Sequence, residues 1–261
     1  MKLVHEALRA GHAQATAAPP RHGTWLAGGG GALGSAVLEA LLGARVFAPL
    51  RVLVTQEFHA TVRGLHTQHV DTLAQASGAP LPLAVVVFDA ARQANGREAA
   101  FWPPRPADLL PLATTLHGLG VRHLIVVMPH TSATLPEALK AGLASLDEQA
   151  VAALGFEHVA FLRTAQRPDG APRAGLQRLA DLVLAQLRVM VPQREQPVRA
   201  AKVAALVAAL ARALPASPPG TRVMAPEWVW LAAQGAELHA LVSDWLAGAP
   251  LPATRLPRMR L

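Results

Sequence analysis

Apolar runs of strand length recur through the first 165 residues and are separated by segments with helical spacing. Five such runs lie at residues 24–27, 50–54, 83–88, 124–128 and 158–162. They show little alternation between apolar and polar positions, which is typical of strands buried on both faces of a parallel sheet. Strands that alternate with helices predict a doubly wound α/β fold with a mainly parallel sheet.

Apolar residues at spacings of three and four predict the helices that accompany these strands. The helices predicted within the first part of the chain lie at residues 35–42, 108–117 and 137–154. Further along, a loop is predicted at 167–172, helices at 176–187, 203–214 and 237–246, and a short strand at 222–225. The carboxyl-terminal part is therefore expected to be mainly helical.

A run of four glycines follows the first predicted strand and opens the first helix. Gly28, Gly31 and Gly34 fit a G-x-x-G-x-x-G pattern, with Ala32 and Leu33 completing the loop. In a dinucleotide site the first glycine permits a tight turn, the second a close approach of the pyrophosphate, and the third close packing of helix on strand. The first helical amides then face the phosphates. No Lys-Ser or Lys-Thr follows the glycines, which excludes a P-loop.

Two further positions are candidates for the adenosine half of a dinucleotide. Thr55 and Gln56 follow the second predicted strand, where an acidic residue would favour NAD and an arginine NADP. Glu57 lies just beyond, so the choice between NAD and NADP stays open. Asp89 follows the third run, on the expected adenosine side, although a strand-end residue capping a loop is an equal interpretation. For the glycines, the alternative is a turn that binds nothing.

The order of these motifs resembles that of an atypical short-chain dehydrogenase/reductase, in the NmrA-like and epimerase-like branch. Besides the glycine loop, the resemblance is carried by GLGVRHLIVV at 118–127, by DEQAVAALGF running into AFLR at 147–163, and by PVRAAKVA at 197–204. Together these passages span about residues 24–235, and only the glycine motif is specific alone. The resemblance implies a Rossmann-type fold and a cleft for NAD or NADP.

The chain departs from that family where the family's proton chemistry resides. It contains no tyrosine, so the Tyr-x-x-x-Lys pair is absent, and Lys140 and Ala144 fall near the two positions. The catalytic residues are therefore unknown. His130, near the end of the fourth run, and Lys140 are candidate substitutes, although a histidine on the rim and a solvated lysine are the simpler interpretations.

These observations divide the chain into three stretches. Residues 1–22 are predicted to be a short helix and linker, 23–165 an NAD(P)-binding Rossmann core, and 166–261 a helical, substrate-side portion of the same domain. A dinucleotide-binding protein with altered or no oxidoreductase activity is favoured. The alternatives are an active reductase or epimerase-like enzyme with a non-Tyr acid such as His130, and a scaffold with an empty cleft.

Composition narrows the chemistry further. The absence of cysteine excludes disulfides, thiolate metal sites and a thiol nucleophile. The 11 histidines show no H-x-x-x-H spacing, so no metal site is expected. The net charge of +7 comes from singly scattered arginines, which argues against a nucleic-acid partner. Trp228, Trp230 and Trp245 are expected to pack, with a substrate pocket or a dimer contact as the alternative.

Location and partners follow from what the chain lacks. No apolar stretch approaches the ~20 residues that span a bilayer, and the amino terminus has no signal-peptide pattern. We therefore expect a cytoplasmic protein without a membrane partner. The heavy use of alanine, and of arginine in place of lysine, is typical of a GC-rich bacterial genome, so a bacterial source is expected. A small-molecule substrate and a homo-oligomer are left open.

Overall fold

The computed structural model describes residues 22–58, 62–89, 96–130, 145–165, 198–235 and 237–252. Its strands are β1 Thr24–Ala27, β2 Leu50–Val54, β3 Leu65–His69, β4 Leu83–Val87, β5 His123–His130, β6 His158–Ala165 and β7 Gly220–Met224. They form one sheet in the order β3-β2-β1-β4-β5-β6-β7, and every neighbouring pair is parallel. Strands β2 and β3 are added on one side of β1, and β4 to β7 on the other side. The strand order therefore reverses between β1 and β4, as in a doubly wound fold.

Helices cover both faces of this sheet. They are α1 Gly31–Gly43, α2 Leu109–Gly118, α3 Leu146–Ala152, α4 Ala200–Ala213, α5 Pro226–Ala233 and α6 Leu238–Leu246. Short 3₁₀ turns lie at Val70–Gln75, Gly96–Ala100, Pro106–Asp108 and Leu214–Ala216. None of these helices is both long enough and apolar enough to cross a membrane.

Alternate residues of the central strands face two apolar layers. Leu26 and Val85 pack on one side with residues of α1, α4, α5 and α6. Trp25 and Ala84 pack on the other side with residues of α2 and α3. Because both faces are covered, the strands have no solvated side, which explains their unbroken apolar sequences. The α/β class and the parallel sheet predicted from those runs are confirmed.

The sequence pattern missed two elements. Strand β3 has the sequence LHTQH and is half-buried at the sheet edge, so its polar residues gave no apolar run. Helix α5 begins with Pro226 at a position where proline is tolerated, and buries Trp228. Trp245 in α6 is buried in the same layer, so the expectation of packing is confirmed for these two tryptophans, whereas Trp230 is only half-buried.

The helix predicted over 137–154 is wrong in its extent. Ser145 has extended backbone angles, and its hydroxyl accepts a hydrogen bond of 3.1 Å from the Glu148 amide. A serine in this geometry caps a helix start, so α3 begins after it and ends at Ala152. The predicted amino-terminal helix, the loop at 167–172 and the helix at 176–187 lie outside the described residues. The division of the chain at residue 165 stays a prediction.

Candidate functional site

The glycine loop lies where the strand order reverses, between the carboxyl ends of β1 and β4. Gly28 and Gly31 have φ angles of +79° and +73°, which residues other than glycine rarely adopt. A Cβ at Gly28 would collide with the carbonyl oxygen of Val87, and a Cβ at Gly34 with that of Gly28. The glycines are therefore required by the close packing of the loop on β4 and of α1 on the loop. The fold is of Rossmann type.

The carboxylate of Asp89 occupies the amino end of α1. Its Oδ2 accepts a hydrogen bond of 2.7 Å from the Leu33 amide, and a Cβ at Gly31 would lie 2.6 Å from the same oxygen. The first turn of a helix attracts anions because its amides are free and its dipole is positive there. In this structure the anion is the protein's own side chain. Asp89 thus caps the loop, the second of the two interpretations that its sequence position allowed.

A segment formed by residues 96–104, here called the covering segment, crosses the carboxyl end of β2. The Thr55 amide donates to the Ala100 carbonyl oxygen at 2.8 Å, and the Trp102 amide donates to that of Leu53 at 3.1 Å. The Thr55 hydroxyl lies 3.3 Å from the same Ala100 oxygen. Thr55, predicted to contact the ribose of a dinucleotide, therefore holds the covering segment.

The covering segment also lies directly on the glycines. A Cβ at Gly29 would be 3.2 Å from Cδ1 of Phe101, and a Cβ at Gly30 would be 3.1 Å from the carbonyl oxygen of Glu98. A cavity of about 220 Å³ is left between the loop, Asp89 and this segment. Its lining includes Gly28, Gly31, Asp89, Glu98, Phe101 and Pro104.

These distances decide how a dinucleotide would fit. The glycine loop and the amino end of α1 suit a phosphate group, in both their backbone and their polarity. Pockets for drug-sized ligands measure roughly 300–1,000 Å³, which is more than the cavity left beside the loop. The covering segment and the Asp89 carboxylate therefore occupy part of the space that the phosphates of a dinucleotide would need at the loop.

The two candidate catalytic residues are described only in part. His130 is the last residue of β5 and pairs with Ala165 on β6, which places its backbone at the carboxyl edge of the sheet. Lys140 lies outside the described residues. The structure therefore assigns no catalytic role to either candidate.

One passage that carries the family resemblance forms a buried ion pair, which the sequence did not reveal. Arg163 Nη2 on β6 lies 3.0 Å from Glu148 Oε2 on α3, and both side chains are at least 95% buried. The pair attaches α3 to the sheet near its carboxyl edge. This contact has a structural role, since it joins a helix to the sheet.

Comparisons with known proteins concern the fold. The sequence matches no protein-family model, and no curated protein matches it. Among solved structures, the Bordetella bronchiseptica enzyme WbmG in complex with NAD and UDP is similar at 17% identity and a TM-score of 0.46, over 90% of this chain and 81% of that chain.

Two further structures are also similar. WbmG in complex with NAD has 16% identity and a TM-score of 0.48, over 85% of this chain and 81% of that chain. A short-chain dehydrogenase/reductase superfamily protein from Agrobacterium tumefaciens with bound NAD has 14% identity and a TM-score of 0.40, over 78% and 77%. The Rossmann-type assignment rests on the strand order and the two-sided burial of this chain itself.

Proposed function

We propose that this chain binds a nicotinamide dinucleotide at the loop formed by residues 28–34, as a relative of the short-chain dehydrogenases/reductases without their tyrosine-dependent chemistry. The observation that carries the proposal is the position of that loop. It ends β1 and opens α1 where the strand order reverses, the place at which open α/β sheets bind ligands. The requirement for glycine at Gly28 and Gly34 supports it.

Binding proceeds by exchange of one anion for another. The pyrophosphate takes the place of the Asp89 carboxylate at the amino end of α1, because two anions there would repel each other. The covering segment must move with it, since Phe101 lies on Gly29 and the Glu98 carbonyl on Gly30. The affinity for the dinucleotide is therefore reduced by the fraction of molecules in which the segment is closed.

The absence of tyrosine makes binding, rather than turnover, the proposed activity. A bound nicotinamide supplies hydride chemistry, and a reductase must also supply a proton to its substrate. No phenol exists in this chain to do so. His130, at the carboxyl edge of β5, is the candidate acid if turnover with a small-molecule substrate is found. Membership of the NmrA-like branch, a cytoplasmic bacterial location and a homo-oligomer belong to the same proposal.

Calorimetric titration with NAD+, NADH, NADP+ and NADPH tests the proposal and decides the cofactor preference. We expect saturable binding of at least one of the four. Gly31→Ala should weaken it at least about tenfold, because its Cβ would fill the space that the Asp89 carboxylate holds now and that the pyrophosphate takes on binding, and because the φ angle disfavours alanine. Gly43→Ala is the matched control, since Gly43 also lies in α1 but has open space around its Cβ position.

A second candidate function is favoured by the filled cleft. If Asp89 and the covering segment never leave the loop, the chain is a scaffold or assembly protein that binds no nucleotide. The variant Phe101→Ala separates the two functions, because it removes the side chain that lies on Gly29. No heat with any of the four dinucleotides at millimolar concentration, in both the wild type and this variant, would refute dinucleotide binding.

A further inference from the structure

A second group of converging polar side chains lies at the amino-terminal ends of the parallel strands, where β5 and β6 begin. This is the side of the sheet opposite to the glycine loop. His123 and His158 are the first residues of these two strands and are direct partners in the parallel register. Their Nδ1 atoms lie 2.9 Å apart. Glu157 precedes His158, and its Oε2 lies 3.9 Å from His123 Nδ1. Three groups that commonly bind metals thus face one point.

The hydrogen bonds of His158 fix which of its nitrogens carries the proton. Its Nε2 lies 2.9 Å from the carbonyl oxygen of Ser217, between α4 and β7. A carbonyl oxygen only accepts, so Nε2 must donate, and the Nδ1 of the neutral ring has a free lone pair. That lone pair is directed at His123. A carbonyl on the far nitrogen is the partner that commonly orients metal-binding histidines.

The carboxylate of Glu157 is the third group of the cluster. Glu157 is 38% exposed; its Oε1 pairs with Arg122, and its Oε2 is turned towards the two rings.

We propose that His123, His158 and Glu157 form a site for a divalent zinc-type cation. The three ligand atoms lie within 4.8 Å of one another. In a tetrahedral zinc site with bonds of about 2.0–2.1 Å, neighbouring ligand atoms are about 3.3 Å apart. Two of the observed separations, 2.9 and 3.9 Å, lie on either side of that value, and the third is at most 4.8 Å. Side-chain shifts of up to about 1.5 Å would bring all three atoms to the tetrahedral spacing.

The bound ion would replace the proton shared between the two rings. His123 then carries its proton on Nε2, and both Nδ1 atoms coordinate the metal. Three protein ligands leave the fourth position to water on the partly exposed side of Glu157. The ion would join the starts of β5 and β6, and through His158 the segment at Ser217 that leads into β7. Binding should therefore stabilise the folded chain.

Zn²⁺ titration of the untagged, chelator-treated full chain tests the site. We expect one Zn²⁺ per chain by calorimetry, a rise in Tm with Zn²⁺ concentration, and with Co²⁺ an absorption spectrum of tetrahedral coordination. His158→Gln should lower the Zn²⁺ affinity by at least about tenfold. His66→Gln is the matched control, since His66 lies on β3 at the far edge of the sheet and should leave the affinity unchanged.

Glu157→Gln provides a second variant in case His158→Gln does not fold. Its side chain is partly exposed, so the fold should tolerate the change, and the Zn²⁺ affinity should again fall. The proposal is overturned if the wild type shows no saturable Zn²⁺ binding. It is equally overturned if the affinity is the same in the folded cluster variants, or if His66→Gln lowers it as much as they do. None of these results depends on dinucleotide binding.

Discussion

The carboxyl-terminal and amino-terminal ends of the parallel strands, called here the carboxyl edge and the amino edge, differ in how accessible their polar groups are to a ligand. At the carboxyl edge, a glycine loop recognisable in the sequence meets an internal anion, Asp89, and is covered by residues 96–104. At the amino edge no motif exists, yet His123, His158 and Glu157 converge with ligand atoms facing one another. A sequence motif therefore indicates which ligand a backbone could bind, whereas only the packing around the motif shows whether the binding site is accessible.

The largest expected effect is on the unfolding free energy. Breaking the buried ion pair near the carboxyl edge should lower it more than breaking the exposed ion pair at the amino edge. Glu148→Gln removes the carboxylate of the buried pair with Arg163 near the carboxyl edge, and should lower the unfolding free energy by up to about 3–5 kcal/mol. Glu157→Gln removes the partly exposed partner of Arg122 at the amino edge, and should cost less than about 1 kcal/mol without metal. Urea denaturation measures both, and equal costs would contradict the difference in burial.

The amino edge should make stability depend on pH. In the unfolded chain His123 titrates near 6.5, and in the fold its pKa is about 4. The unfolded state therefore binds the proton more readily, so the unfolding free energy falls as pH drops from 6.5 to 4, by at most about 3 kcal/mol. His123→Gln should flatten this part of the profile in metal-free protein. A profile with the same slope in the variant would assign the proton to another group.

Removing part of the covering segment from the carboxyl edge should raise the affinity for a dinucleotide. Phe101→Ala removes the ring that lies on Gly29, and we expect the dinucleotide affinity to rise roughly tenfold, or about 1.4 kcal/mol. Pro106→Ala is the control, since Pro106 is an exposed residue just after the same segment and does not line the cavity. Calorimetry measures both affinities. An unchanged affinity in Phe101→Ala, where binding is seen, would show that this ring does not restrict the site.

The smallest expected effect concerns the internal anion. Asp89→Asn keeps the size of the side chain but removes its charge from the amino end of α1, which should cost about 0.3–1 kcal/mol of stability. The same change should raise the dinucleotide affinity a few-fold, because the pyrophosphate no longer displaces a carboxylate. Denaturation and calorimetry on one preparation measure the two effects. A loss of affinity would instead make Asp89 a contact of the cofactor.

The sequence was sufficient for features whose signal is local. Apolar runs gave five of the seven described strands, and the spacing of Gly28, Gly31 and Gly34 gave the loop and its place before α1. Strand β3 escaped because an edge strand can be polar on its open side. Ser145 shows how one capping hydroxyl fixes the start of a helix at a position that apolar spacing alone would place inside it.

The remaining features depend on contacts between distant parts of the chain. The Thr55 hydroxyl meets the Ala100 carbonyl 45 residues away, through an acceptor that every residue type possesses. His123 and His158 are 35 residues apart and meet only because β5 and β6 are neighbours in register. No local spacing rule contains such information, which is why the expectation of no metal site followed from the sequence and the cluster emerged from the fold.

Strand β5 connects the two edges, with His123 as its first residue and His130 as its last. Its 8 residues rise about 3.3 Å each, so the two ends are roughly 23 Å apart. That distance exceeds the ~8 Å over which physiological salt screens charges. A charge that binds at one edge should therefore have little electrostatic effect on the groups at the other edge. The stabilising effects of a cation at one edge and an anionic cofactor at the other should then simply add, as they do for distant, independent sites.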